Sequence, residues 1–474
     1  MRILLLAMPD TADVIDYVAR LPNLAIISLA GNLPGHEVRC LDLVLFKPRI
    51  RQPLKKILEE FRPQLVGLSA MTFQFDTLLR VARFIRESDP TVKLAAGGYH
   101  ASLMAREITA GTPDLPLDFL IRGEGEVTFR ELAEELEKAS PHWSRVAGLS
   151  YRQGEGWAHN PDRALQDLEQ IPLPQREARA AQGFYFLEMP MDVAETSRGC
   201  PYNCKFCSIT RMYGHTFRRF PVDRIVADLK KIRSLGFRAV FFADDNITYD
   251  IDHFRGVCQA IVSQGLNDMC YLTQVSAVGI AQNPELVADM DRANFRMVFV
   301  GFESMDPNAL KGMKKPTSPE INRRAAALLR QYRLAIIAGC IVGYPEDTKE
   351  SVIQQFRLVK RLLPDMIYAQ YLTPYPKTVI RQELLEAGLI DNLEDWRTYD
   401  GFTCNIHTRY LSREELYRCL KSEAAKANFD PGLIRANYFL RNHTRYFVSA
   451  SAKAVLTNIY NVLWTRQLSA PLDI

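Results

Sequence analysis

Two long stretches of this chain alternate short apolar runs with amphipathic segments, and few folds accept that pattern. Between residues 1 and 145 the runs "RILLLAM" (2–8), "EVRCLDL" (37–43), "LVGLSAM" (65–71), "VKLAAGG" (92–98) and "DFLIRG" (118–123) read as strands. Segments such as "LLRVARFIRES" (78–88) and "VTFRELAEELEK" (127–138) lie between them and read as helices. Such alternation predicts a parallel sheet with helices on both faces. It resumes at Val193 with "VAETS" (193–197), "AVFFADD" (239–245), "CYLTQVS" (270–276), "RMVFVGF" (296–302), "AIIAGCIVG" (335–343) and "MIYAQYLT" (366–373). Helical patterns over 221–235, 284–293, 318–333 and 348–363 fall between these strands. Six β/α units predict a partial (β/α)6 barrel of TIM type, with its chemistry at the carboxyl ends of the strands.

A chain of 474 residues is too long for one ordinary core. The expected organisation is an α/β domain over 1–145, a linker over 146–190, the barrel over 191–385 and a mostly helical region over 386–474. Prolines 161, 172, 174 and 190 mark the linker. A net charge of +4 is small for this length, and no basic, aromatic-interleaved stripe is visible, so no nucleic-acid partner is expected. The opening "MRILLLAMPD" is too short in its apolar run for a signal sequence and reads as a buried strand. Nine cysteines, an odd number, with no export signal predict reduced thiols and a cytoplasmic protein.

Three of the nine fall within eight residues. "TSRGCPYNCKFCSI" (196–209) spaces Cys200, Cys204 and Cys207 as C-x3-C-x2-C, directly after the barrel's first strand. Structural zinc takes four protein ligands, commonly as two separated pairs, and no second pair at fitting spacing is present. Iron–sulfur clusters are usually held by four closely spaced thiolates, so three would leave one iron open to another ligand. Buried, unreactive thiols suit the six scattered cysteines better than this trio, whose loop is polar (Arg198, Gly199, Asn203, Lys205).

At these residues the sequence resembles the radical S-adenosylmethionine superfamily, in which such a loop holds a [4Fe–4S] cluster whose free iron chelates S-adenosylmethionine. Phe206 stands where family members often carry an aromatic residue. The resemblance covers roughly 190–380 and implies further contacts to S-adenosylmethionine. "GFES" (301–304) would place Gly301, Glu303 and Ser304 at it, with Glu303 on the ribose hydroxyls. "GCIVGYP" (339–345) would place Gly339 and Gly343 beside the adenine, and "ADDN" (243–246) would point Asp244 or Asp245 into the site.

An N-terminal α/β domain ahead of this barrel resembles the Rossmann-like domain of the cobalamin-binding subgroup. Ligands of such sheets bind beyond the carboxyl ends of the strands. There lie "SAMTFQ" (69–74), with Ser69 and Thr72; "GGYHAS" (97–102), with Gly97, Gly98 and His100; and "RGEGE" (122–126), with Gly123, Glu124 and Gly125. The resemblance implies that these loops hold cobalamin. Cobalamin domains of another type carry D-x-H-x-x-G after the first strand; here that position reads "DTADVI" (10–15), without histidine. The lower ligand of cobalt therefore stays open, and His100 is expected to line the nucleotide tail. Transfer-RNA methylthiotransferases need three further cysteines in this domain, which holds only Cys40.

Residues 431–472 carry Arg435, Arg441, Arg445, Lys453 and Arg466 but no Asp or Glu before Asp473. Within them, 445–466 has apolar residues at helical spacing. Such a helix can lie on an anionic membrane or pack on the barrel, and both readings stand open. The resemblance implies a cobalamin-dependent methyltransferase that removes hydrogen from an unactivated carbon of a small-molecule or lipid substrate and methylates it. An electron donor such as flavodoxin or ferredoxin would serve it. The alternatives are a cyclase or oxidoreductase without methyl transfer, as in anaerobic tetrapyrrole cyclases, and a non-catalytic zinc or cobalamin-binding module.

Overall fold

The computed structural model describes residues 1–11, 18–111, 114–438, 441 and 472–474, and these form parts of two compact units. The first comprises 1–184 with 451–474. Its strands are β1 (Arg2–Ala7), β2 (Glu37–Asp42), β3 (Leu65–Ser69), β4 (Lys93–Gly97) and β5 (Phe119–Ile121), parallel and ordered β2-β1-β3-β4-β5. Alternation along β1 builds both faces. Leu4 and Leu6 join one core with helices Arg51–Phe61 and Phe75–Ser88, while Ile3 and Leu5 join another with Leu24–Gly31 and Gly125–Leu136.

Two further strands extend this sheet as a hairpin: β6 (Leu149–Gln153) runs antiparallel to β5, and β7 (Gly156–His159) antiparallel to β6. Both fall in the segment expected to be a linker. Leu149, Ser150 and Tyr151 are buried, and Tyr151 pairs with Phe119. Only a few apolar positions mark these strands among polar and proline-rich sequence, so periodicity does not reveal them.

The second unit, residues 185–450, is built on six parallel strands in chain order: β8 (Met189–Ala194), β9 (Ala239–Phe242), β10 (Cys270–Val275), β11 (Phe295–Glu303), β12 (Ala335–Val342) and β13 (Met366–Tyr371). Neighbours pair in register from Met191↔Ala239 to Val342↔Tyr371, giving the curled partial barrel expected. Crossover helices start at side-chain caps: Asp250 on His253 N, Ser318 on Ile321 N, Thr348 on Ser351 N. Phe242, Tyr271 and Phe295 are buried together, with ring centroids 5.3–5.8 Å apart, and Phe295 meets Phe254 of the crossover helix Ile251–Ser263.

β8 ends at Ala194, short of the expected Ser197: Thr196 N donates to a carboxylate instead of the ladder, and Ser197 pairs with Arg219 in a separate two-stranded ladder. Residues 387–412, expected to be mostly helical, are irregular apart from one short turn and the Ile390↔Ile406 bridge. Helix Arg413–Asn428 then opens on a capping box between Ser412 and Glu415. The amphipathic segment 445–466 lies outside the described residues. Among those described, no helix is long and apolar enough to cross a membrane.

Candidate functional site

The loop after β8 carries the three cysteines, and its shape is fixed by carboxylates from the end of β9. Asp244 is buried and accepts from Thr196 N (3.0 Å), Thr196 Oγ1 (2.6 Å) and Ser197 Oγ (2.5 Å). Asp245 accepts from Gly199 N at 2.8 Å. The same turn gives Asn246, whose amide lies 3.7 Å from Cys200 Sγ. Burial pushes Asp244 up to about 7 and Asp245 up to about 6, outweighing the donors that pull them down. Asp244 thus spends its acceptors on the protein: it shapes the cysteine loop, where a contact to S-adenosylmethionine was expected. Gly199 adopts φ 88°, and a Cβ there would come within 3.2 Å of the Thr216 carbonyl carbon.

The far side of the loop is pinned as well. Lys205 N donates to Met313 O at 3.0 Å, Lys205 O accepts from Ile380 N at 3.0 Å, and Lys205 Nζ reaches Glu383 at 2.7 Å. Cys200, Cys204 and Cys207 are all half-buried. Burial raises each thiol, Cys204 to about 11 and Cys207 to about 12. The free thiols are therefore neutral, and metal binding must displace their protons. Among the described residues no three His, Cys, Asp or Glu side chains are grouped to hold one metal ion. The donor set is three soft thiols on one loop, with no fourth ligand grouped with them among the described residues, which suits separate irons of a cluster.

Glu303 stands at the end of β11, beyond a register shift between Gly301 and Glu303. Its φ is 59°, a left-handed conformation uncommon for a residue with a side chain, and bulges of this kind re-aim side chains beside sites. Its Oε1 accepts from Lys315 Nζ at 2.7 Å. A Cβ on Gly301 would sit 2.5 Å from that carboxylate and 3.0 Å from that ammonium, so the glycine makes room for the ion pair. Gln355 holds the turn by donating to Glu303 O (3.1 Å) and accepting from Met305 N (2.8 Å). Ser304 Oγ is taken up in the same turn, by Gln355 and Asp306 N, and does not face outward as expected.

At the end of β12, Gly343 has φ 100°, and its amide and that of Tyr344 both donate to Asp347, at 2.8 and 2.9 Å. Gly339 lies inside the strand against Phe299: a Cβ would meet the ring at 2.5 Å, so its smallness serves packing. The Tyr344 hydroxyl is buried without a hydrogen-bond partner. Burial drives it well above the ordinary phenol value, with the charges of Glu303, Asp347 and Cys204 adding to the shift. A buried donor without a partner calls for an explanation, and a polar ligand could supply one. Neither Tyr344 nor Lys315 is visible as a site residue in the sequence, since "KGMKKP" (311–316) reads as a solvated turn.

In the first unit the expected loops do converge at one edge. The strand order reverses between β2 and β3 around β1, making a topological switch point. There the Asp10 carbonyl accepts from Gln74 Nε2 (2.8 Å) and its Oδ1 from Thr77 Oγ1 (2.9 Å). Asp10 Oδ2 is buried without a partner, and burial raises this carboxyl to about 6. Gly97 O accepts from Ala70 N at 3.1 Å, joining the loop of Ser69 and Thr72 to that of Gly98. Ser102 Oγ donates to Gly98 O (2.7 Å) and accepts from Gly123 N (3.0 Å), joining the third loop. Glu124 accepts from Gln166 N at 2.8 Å, and a Cβ on Gly125 would lie 3.2 Å from Leu29, so both brace the loop. His100 is 2% exposed, its ring lies tilted against Phe75 with centroids 4.6 Å apart, and burial lowers its pKa to about 4.

Residues 194–359 match the family model of the radical SAM superfamily, and residues 11–133 match that of the B12 binding domain. The chain thus carries a radical SAM domain and, ahead of it, a B12-binding domain. It is 26% identical to an uncharacterized methyltransferase of Pyrococcus horikoshii, over 96% of this chain and 98% of that one. It is 26% identical to an anaerobic magnesium-protoporphyrin IX monomethyl ester cyclase of Synechocystis, over 75% of this chain and 71% of the other. With a hopanoid C-3 methylase of Methylococcus capsulatus it shares 27% identity, over 73% of this chain and 64% of that protein. Its fold matches that of the radical S-adenosylmethionine methyltransferase TsrM of Kitasatospora setae, solved with cobalamin and a [4Fe–4S] cluster, at a TM-score of 0.70, with 18% identity, 88% of this chain and 85% of the other covered.

Proposed function

We propose that the protein is a cobalamin-dependent radical SAM methyltransferase that methylates an unactivated carbon of a hydrophobic small molecule. The observation that carries this reading is the cysteine loop: three half-buried thiols, braced by Asp244, Asp245 and Met313, beside the Glu303–Lys315 pair. Cys200, Cys204 and Cys207 would hold a [4Fe–4S] cluster. Glu303 would take the ribose hydroxyls of S-adenosylmethionine, the turn at Gly343 would leave room for its adenine, and Tyr344 would donate to one of its oxygens. In the first unit the edge of Ser69, Thr72, Gly97, Gly98, Gly123 and Asp10 would hold cobalamin. Bound there, these groups supply a carbon-centred radical and a methyl donor. The chain's own work is to orient them and keep water away.

The relatives named for a hopanoid and for magnesium-protoporphyrin support a hydrophobic substrate. The cyclase among them also supports a second reading, ring closure without methyl transfer. Flavodoxin or ferredoxin would supply electrons. Anaerobically reconstituted protein is expected to hold about four irons and four sulfides. Its Cys→Ala variants at 200, 204 or 207 are expected to lose the cluster and all S-adenosylmethionine cleavage. Zinc without iron would overturn the reading. Label passing from the methyl group of S-adenosylmethionine to the protein-bound corrinoid and on into the product separates methyl transfer from cyclisation.

A further inference from the structure

Lys315 differs from its neighbours. Lys311 and Lys314 are exposed, whereas the Lys315 side chain is only 16% exposed. Its Nζ donates to Glu303 Oε1 at 2.7 Å and stands 5.9 Å from the ring centroid of Phe206, the residue between Cys204 and Cys207. The backbone fixes this placement: Lys315 N donates to Leu310 O at 3.0 Å, and Met313 O accepts from Lys205 N of the cysteine loop at 3.0 Å. Burial works against the ammonium, yet the Glu303 carboxylate beside it favours the charged form and the net shift is upward. A buried charge is costly unless it is paired. A surface lysine would serve packing at no such cost, so this one calls for a further role.

We propose that Lys315 is a positioning residue whose charge, offset by Glu303, sets how readily the group held by Cys200, Cys204 and Cys207 accepts an electron. The inference rests on the reading of that group as a [4Fe–4S] cluster. Adding one electron from an external one-electron reductant makes the cluster more negative by one charge. A fixed ammonium nearby stabilises that state, and a fixed carboxylate opposes it. The pair therefore balances the potential, and whatever engages Glu303 shifts the balance toward Lys315.

The test uses the full chain, reconstituted anaerobically, with iron counted first and the reduced cluster followed by electron paramagnetic resonance across a potentiometric titration without substrate. In Lys315→Met the reduced-to-oxidised ratio at a fixed potential is expected to fall about tenfold, which is about 59 mV for a one-electron couple. Glu303→Gln is expected to move it in the opposite direction, and the double variant to lie between the singles. Lys315→Arg, which keeps the charge, is expected to stay near the wild type. Full iron loading in Lys315→Met with an unchanged midpoint overturns the proposal. Should Lys315→Met fail to load iron, Glu303→Gln decides, and an unmoved midpoint there also overturns it. A wild type without a cluster instead overturns the reading on which the inference rests.

Discussion

Asp244 shows how a single carboxyl can serve a site without touching a ligand. Its folded pKa, about 7, lies above the ordinary value of 3.8, chiefly because burial disfavours the anion. A raised folded pKa means the native state holds its proton longer than the unfolded chain. The stabilisation is complete below about pH 4 and is lost as pH rises through 7. Asp244→Asn removes that dependence while keeping an oxygen for Ser197 and Thr196. Thermal-shift curves of the two proteins are expected to diverge, the wild type losing stability relative to the variant by at most about 1.4 kcal/mol per pH unit between 4 and 7. Parallel curves would show that the three donors win and the carboxylate stays charged. Tyr344 gives a second prediction at this scale. Deleting an orphaned hydroxyl leaves no partner stranded, so Tyr344→Phe is expected to hold or slightly raise the ligand-free melting temperature. The same change is expected to weaken S-adenosylmethionine about five- to tenfold by calorimetry, a lost hydrogen bond of about 1 kcal/mol. A drop in stability with unchanged binding would place the hydroxyl in the core.

At the scale of elements, the cysteine loop is held by its flanks more than by its own sequence. Its glycine at 199 combines φ 88°, a hydrogen bond to Asp245 and backbone contact with Thr216. Gly199→Ala must move the loop or accept strain of about 1–3 kcal/mol. Iron uptake after reconstitution is therefore expected to fall sharply, while far-UV circular dichroism stays that of the wild type. Full iron loading would show that the loop adjusts freely. This explains what was legible in the sequence. The C-x3-C-x2-C spacing and the strand–helix alternation are local patterns, so the trio and the parallel strands of both sheets could be read directly. The roles of Asp244, Ser304 and His100 depend on which way a side chain turns after a strand ends, and that is decided by partners 20 to 60 residues away. Lys315 was hidden for a related reason: its burial follows from a bulge in β11, and no periodicity marks a bulge.

For the molecule as a whole, the boundary of the first unit decides how it can be studied. A break at residue 145 follows the alternation, but it removes β6 and β7. That would uncover the edge of β5 and strip away Leu149, Tyr151, Leu168 and Ile171, all buried in this unit. Each such side chain contributes on the order of 1.5–3 kcal/mol when fully buried, so their loss is comparable with the whole stability of an ordinary domain. The bared β5 edge would also offer unpaired backbone groups to other chains. Residues 1–145 expressed alone are therefore expected to aggregate, whereas residues 1–184 are expected to give a larger soluble fraction with a sharper melting transition. Cobalamin gives the functional readout, because the loops of Ser69, Gly98 and Gly123 are stitched together within both fragments. Binding by 1–184, with the spectrum of a form in which no histidine ligates cobalt, is the expected result, since His100 is buried under Phe75. A well-folded 1–184 fragment without corrinoid affinity would mean that the carboxyl edge of this sheet does not suffice for the cofactor. A soluble, cooperative 1–145 fragment would show that β6 and β7 are ornaments on a sheet that is stable without them.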